Sequence, residues 1–149
     1  MSITEISSSK FLSDAIIFLR DKILENVNDP LQLKRGNEKF VLTEYPQRQV
    51  IYPVITITDA GSIQEGRLGM SSQGTIIRLT IEIRVWARNV IERDSLFNKI
   101  HEYLRTNQIY DDDISGANLH DFSLGNVVNV SEENVKSKIM EVNFLFLCI

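Results

Sequence analysis

The stretch Thr75–Ala87, TIIRLTIEIRVWA, constrains this chain more than any other segment. Ile77, Leu79, Ile81, Ile83, Val85 and Ala87 alternate with Arg78, Thr80, Glu82, Arg84 and Trp86. Successive side chains on a strand point to opposite faces, so this order makes one aliphatic face and one polar face. That is the pattern of a half-buried antiparallel strand. Fully extended it would span roughly 40 Å, which is long for a domain of 149 residues. The fold has to be built around it.

The elements on either side are read in the same way. Leu12, Ala15, Ile16, Leu19, Ile23 and Val27 recur at three- and four-residue steps, predicting a helix over residues 10–26. Ser8 or Ser9 is placed to cap its start, and Asn28-Asp29-Pro30 ends it. Phe11, Ile17, Phe18 and Leu24 widen the apolar stripe, so this helix is expected to be covered on two sides. After a polar connection come strands over residues 40–45 and 54–58, the second opened by Pro53. Residues 59–74, with four of the seven glycines, read as a long loop, a length usually reserved for function or disorder. Asn89 caps a second helix, with Glu92 completing a capping box. The core face of this helix is Leu96, Phe97, Ile100, Tyr103 and Leu104, and it ends near residues 106–107. An acidic loop over residues 111–118 leads to a strand over residues 120–130, broken at Gly125-Asn126. Residues 135–149 make the last strand, whose tail from Val142 to Ile149 is apolar on both faces. The order is α-β-β-β-α-β-β, in one domain over residues 1–149. It predicts an α+β fold, an antiparallel or mixed sheet with two helices packed on one face.

Composition narrows the function classes. No run approaches the roughly 18 apolar residues of a membrane span, and MSITEISSSK lacks the basic and apolar regions of a secretory leader. A soluble, intracellular protein is expected, and the Asn129-Val130-Ser131 sequon is not read as a glycan site. One cysteine, Cys148, makes no internal disulfide, and in an apolar strand it reads as a small hydrophobe. A net charge of −4 disfavours a protein whose work is to hold phosphates. His101 and His120 sit in no nucleophile motif. Gly61-x-x-x-x-Gly66 is followed by Arg67-Leu68 instead of the Lys-Ser/Thr of a phosphate loop. Gly66-Arg67-Leu68-Gly69 has the GxxG form of a nucleic-acid clamp, but strands and not helices flank it. Asp111, Asp113, Ser115 and Gly116 match the opening of a calcium loop, yet its twelfth position is Phe122, so a solvated turn is favoured. No catalytic, cofactor or metal residue is assigned, and the chain is not read as an enzyme.

Contact surfaces are a better lead. Arg78, Glu82, Arg84 and Trp86 form a stripe opposite the core face, and Trp and Arg are the types most enriched at binding hot spots. With Phe144 and Phe146 turned to the helices, Leu145, Leu147 and Ile149 would face away from them. An exposed aliphatic row on a sheet is a liability without a partner, which points to self-association.

A resemblance then joins these features. The N-terminal helix, the strand Tyr52-Pro53-Val54-Ile55-Thr56-Ile57 and the glycine-rich segment come first. A strand ending Ile83-Arg84-Val85-Trp86-Ala87 follows, running into a helix Arg93-Asp94-x-Leu96-x-x-x-Ile100-x-x-Tyr103-Leu104. Over nearly the whole chain this resembles the tail terminator, or tail-completion, proteins of long-tailed bacteriophages and related viruses and prophages. The resemblance implies a structural virion protein, made in the host cytoplasm, that forms a homo-oligomeric ring, usually a hexamer. Such a ring stops growth of the tail tube, contacts the major tail tube protein and the neck or connector protein, and lets DNA pass without binding it. The loop over residues 61–74, with Arg67, Leu68 and Met70, would reach a neighbour or the tube. The rival readings are an adjacent neck or head-completion ring, a small ligand-binding module with a pocket between sheet and helices and, behind both, an enzyme using His101 or His120.

Overall fold

The computed structural model of the protein describes residues 11–31, 39–44, 51–67, 75–107, 119–131 and 135–148. Along them run α1 (Phe11–Asn26), β1 (Val41–Leu42), β2 (Val54–Arg67), β3 (Thr75–Ala87), α2 (Val90–Asn107), β4 (Leu119–Ser131) and β5 (Lys136–Cys148). The architecture is α+β, with one five-stranded sheet in the order β1-β2-β3-β5-β4. β3 lies at the centre and pairs antiparallel with β2 on one side and with β5 on the other, the latter from Thr75 to Ala87 without a slip. β1 pairs parallel with β2 through Val41 and Leu42, so the sheet is mixed.

The aliphatic side of β3 is the core. Ile81 and Val85 are 0% exposed, and Ile77, Leu79, Ile83 and Ala87 are buried with them. Ile55 and Ile57 of β2 and Met140, Val142 and Phe144 of β5 extend the same face. Ala15, Phe18, Leu19 and Ile23 of α1 and Leu96, Phe97, Ile100 and Leu104 of α2 close over it, so both helices lie on one side. α1 packs on β1 and β2, and α2 packs on β3 and β5.

Four local readings are corrected. The strand expected over residues 40–45 is only Val41–Leu42. The long loop expected over residues 59–74 is strand as far as Arg67, because β3 offers a full ladder and its pairing overrides the weak strand propensity of Asp59, Gly61 and Gly66. A bulge absorbs the mismatch, with four steps along β2 from Asp59 to Ile63 opposing two along β3 from Ile81 to Leu79. β4 is not broken at Gly125-Asn126 but bulged there, and again between His120 and Ser123. At the start of α2, Asn89 Oδ1 accepts the Glu92 N–H at 2.8 Å as a cap should. The Glu92 carboxylate, however, takes the Arg88 N–H at 3.2 Å and the Arg88 guanidinium at 2.8 Å. The capping carboxylate thus reaches one residue further back than a capping box requires. The Ser8 and Ser9 cap and the acidic loop over residues 111–118 lie outside the described residues.

Because β3 carries the core on both flanks, Ile81→Ala should cost about 2–5 kcal/mol, read as a lowered midpoint in urea denaturation with an unchanged slope.

Candidate functional site

The face of the sheet turned away from the helices is set by the register. Opposite one another stand Val130, Ser137, Trp86 and Val54, and in the next layer Val128, Ile139, Arg84 and Thr56. Then come Glu141, Glu82 and Thr58, followed by Ser123, Asn143 and Thr80, and by Leu145 beside Arg78. The stripe read from the sequence is therefore one surface, and it continues across four strands.

Hydrogen bonds tie that surface together. Trp86 Nε1 donates to Thr56 Oγ1 at 2.9 Å, and the Arg84 guanidinium lies 3.8 Å over the Trp86 ring. Arg84 Nε and Nη2 donate to Ser137 Oγ at 3.1 and 2.9 Å, and that hydroxyl donates to the Val130 carbonyl at 3.2 Å. Two layers further along, Thr80 Oγ1 donates to Asn143 Oδ1 at 2.9 Å. Arg84 is thus held flat by a ring and a hydroxyl, with no carboxylate beside it among the described residues. The sequence reading missed Ser137, which is 1% exposed and binds three of these strands. Only the register of β5 against Trp86 reveals it.

Between these two clusters Glu82 and Glu141 stand directly opposite each other, both half-buried. Neither carboxylate has a partner among the described residues. Like charges opposed across a pair of strands are unfavourable. The backbone of Gly125 presses on the same spot, where an added Cβ would come within 3.1 Å of Asn143 Nδ2 and 3.2 Å of Glu141 Cβ.

The structure sorts the other candidate residues. Leu145 is half-buried on this outer face and Phe144 is buried on the inner one, as the alternation required. Leu147 pairs in register with Ile76, and Arg67 sits at the strand end of β2 paired with Thr75, not in a loop. The side chains of both lie outside what is described, as do Leu68, Met70 and Ile149 altogether. His101, half-buried on α2, stacks on Phe97 at 5.7 Å. No group of three or more metal-binding side chains forms among the described residues. An open cleft of about 350 Å³ lies between the ends of the two helices, lined by Asn26, Val27, Asn28, Lys99, Glu102, Tyr103 and Thr106.

On the helix side one charged cluster pins α2 to β5. Asp94 Oδ1 accepts from Arg93 Nε at 2.9 Å and lies 3.0 Å from Lys138 Nζ. Lys138 also lies over the Phe97 ring at 4.9 Å. The Arg93 guanidinium first, and the Lys138 ammonium second, hold the Asp94 carboxyl below its ordinary value. The chain matches no family model and no curated protein.

Two outcomes follow from these charges. A carboxyl whose value is lowered by folding stabilises the fold above the ordinary carboxylate value of about 4, and that stability is lost as pH falls through the folded value. Thermal melts run from neutral pH downward should therefore lose stability below about 4, and Asp94→Asn should flatten that part of the profile. Glu141→Lys, which turns a like-charge pair into an opposite-charge one, should raise stability by about 0.2–1 kcal/mol in chemical denaturation.

Proposed function

We propose that the protein is a structural virion component of the tail-terminator kind. Its subunits assemble into a ring that ends the tail tube and joins tail to neck, acting by assembly and not by catalysis. The observation that carries this reading is the outer face of the sheet. It holds a stacked Arg84–Trp86 pair, aliphatic side chains on either side, and two opposed carboxylates without a partner among the described residues. Such a face is costly in water and is relieved by a partner that supplies a cation and apolar cover. The element order supports it too, since it is the one that the resemblance implies. In the ring the occupants of these surfaces are neighbouring subunits, the tube protein and the neck protein, while DNA passes through the channel unbound.

A small ligand-binding module is a second reading, favoured by the cleft beside Lys99, Glu102 and Tyr103. It lies between the two helices and not between helices and sheet. A thermal shift with a metabolite library separates the two, because a ligand that binds the native state raises the melting temperature.

Light scattering after size-exclusion chromatography should show a closed oligomer, and adding the protein to growing tail tubes should cap their length. A protein that stays monomeric at high concentration and leaves tube length unchanged would overturn the reading. Glu141→Lys gives a sharper comparison, with a more stable subunit that assembles less well.

A further inference from the structure

The outer face of the sheet holds both halves of an ion pair and keeps them apart. Glu82, Arg84 and Trp86 follow one another on that face of β3. Two residues of strand rise only roughly 7 Å, a gap that an arginine and a glutamate side chain together span. Arg84 nevertheless turns the other way. Its guanidinium lies 3.8 Å over the Trp86 ring and donates to Ser137, which stands beside Trp86 on the neighbouring strand. Glu82 and Glu141 are left opposed in the layer behind it, with no partner among the described residues. The cation is thus held by a ring and a hydroxyl, while two carboxylates next to it go without a cation. Ile139 stands between Arg84 and Val128 in the same layer, and Val128 is 52% exposed.

This order of charges is complementary to itself. Two sheets stacked face to face keep their strands along nearly the same line. A two-fold axis lying between them, across the strands, reverses the strand direction of one copy. Reversal about a point midway between Glu82 and Arg84 sets each Arg84 over the Glu82 and Glu141 layer of the other copy. Thr80 and Asn143 then face Trp86 and Ser137. Arg84 and not Arg78 takes this place, because that reversal overlaps β3 from Thr80 to Trp86, whereas seating Arg78 over the carboxylates overlaps it only from Arg78 to Glu82.

We infer that the free protein pairs with a second copy of itself, outer face to outer face, with Arg84 of each copy against Glu82 and Glu141 of the other. The occupant is argued from charge. The carboxylates lack a cation, the cation lacks a carboxylate, and one reversal of the same face supplies both at once. Such a contact is isologous and closes after two copies, so by itself it builds neither a ring nor a filament. The inference goes beyond the ring reading and describes the chain before any tail tube is present. Assembly on a tube would exchange this contact for others.

Trp86 is the only tryptophan of the chain and sits in the contact, so the unmodified protein carries its own reporter. Sedimentation velocity across a dilution series should show monomer and dimer in exchange, with a tighter dimer at low salt because the pairs are charged. Across the same series, acrylamide should quench Trp86 fluorescence more strongly in the dilute monomer than in the dimer. A monomer at every concentration, or a dimer whose Trp86 is quenched as readily as the monomer's, overturns the inference. Two charge variants then locate the contact. Arg84→Glu makes the face acidic, and Glu82→Lys combined with Glu141→Lys makes it basic. Each alone should dimerise at least roughly tenfold more weakly, since facing like charges are costly, while an equimolar mixture should recover a heterodimer. Variants that dimerise like the unmodified protein, or a mixture that gains nothing, overturn the pairing. Should Arg84→Glu, which gives up the stack on Trp86, fold poorly, the quenching series decides alone. A dimer that behaves as expected but leaves tail-tube length unchanged removes the ring reading and not this one. Capped tubes from a protein that never forms this dimer do the reverse.

Discussion

Everything in this fold depends on β3 being paired along its length on both sides. β5 pairs with every residue of Thr75–Ala87, and β2 with all of them but Thr80, at the bulge, and Ala87. Only then can its aliphatic row lie under two helices without leaving backbone groups unsatisfied. The same pairing decides what the other face looks like. Register sets Trp86 beside Ser137 and, in the next layer, Arg84 beside Thr56, although these residues come from widely separated parts of the chain. The core and the outer face are thus two sides of one ladder, and a change of register by one residue would exchange them.

Much of this was legible in the sequence wherever one physical signal dominated. The alternation of β3 and the helical spacing of Leu96, Ile100 and Leu104 gave elements and inward faces that the structure repeats. The signal failed where pairing overrode local preference. Asp59, Gly61 and Gly66 look like loop residues, but a long neighbouring strand recruits them. Leu124 and Val127 both point to the helices although they are three apart, which a regular strand forbids and the bulge at Gly125-Asn126 allows. Polar partners across the sheet were hidden for a simpler reason. Arg84 and Ser137 are 53 residues apart, and no local pattern predicts which of many hydroxyls will stand opposite an arginine.

The site was legible to a different depth. Arg78, Glu82, Arg84 and Trp86 were grouped by parity alone, and the structure keeps them on one face. What parity did not carry was the difference among them. Arg84 and Trp86 are locked in a stacked pair, whereas Glu82 stands between Thr58 and the carboxylate of Glu141 with no partner among the described residues. On the helix side the two cations of β5 divide likewise. Lys138 is spent internally on Asp94, which fixes α2 on the sheet, and Lys136 has no partner among the described residues.

The bulges have a consequence for how safely such a chain can exist at high local concentration. An unbroken extended edge is a template on which further strands add without limit, the route to cross-β fibres. β4 is an edge strand, and β2 is covered by β1 only at Ile55 and Thr56; both are long enough to serve as templates, but each has its ladder interrupted, β2 once and β4 twice. No stretch of either edge therefore presents a straight, regular row of donors and acceptors over its full length. Where copies of such a chain meet, contact is left to side-chain surfaces, which can saturate, and not to backbone growth, which cannot.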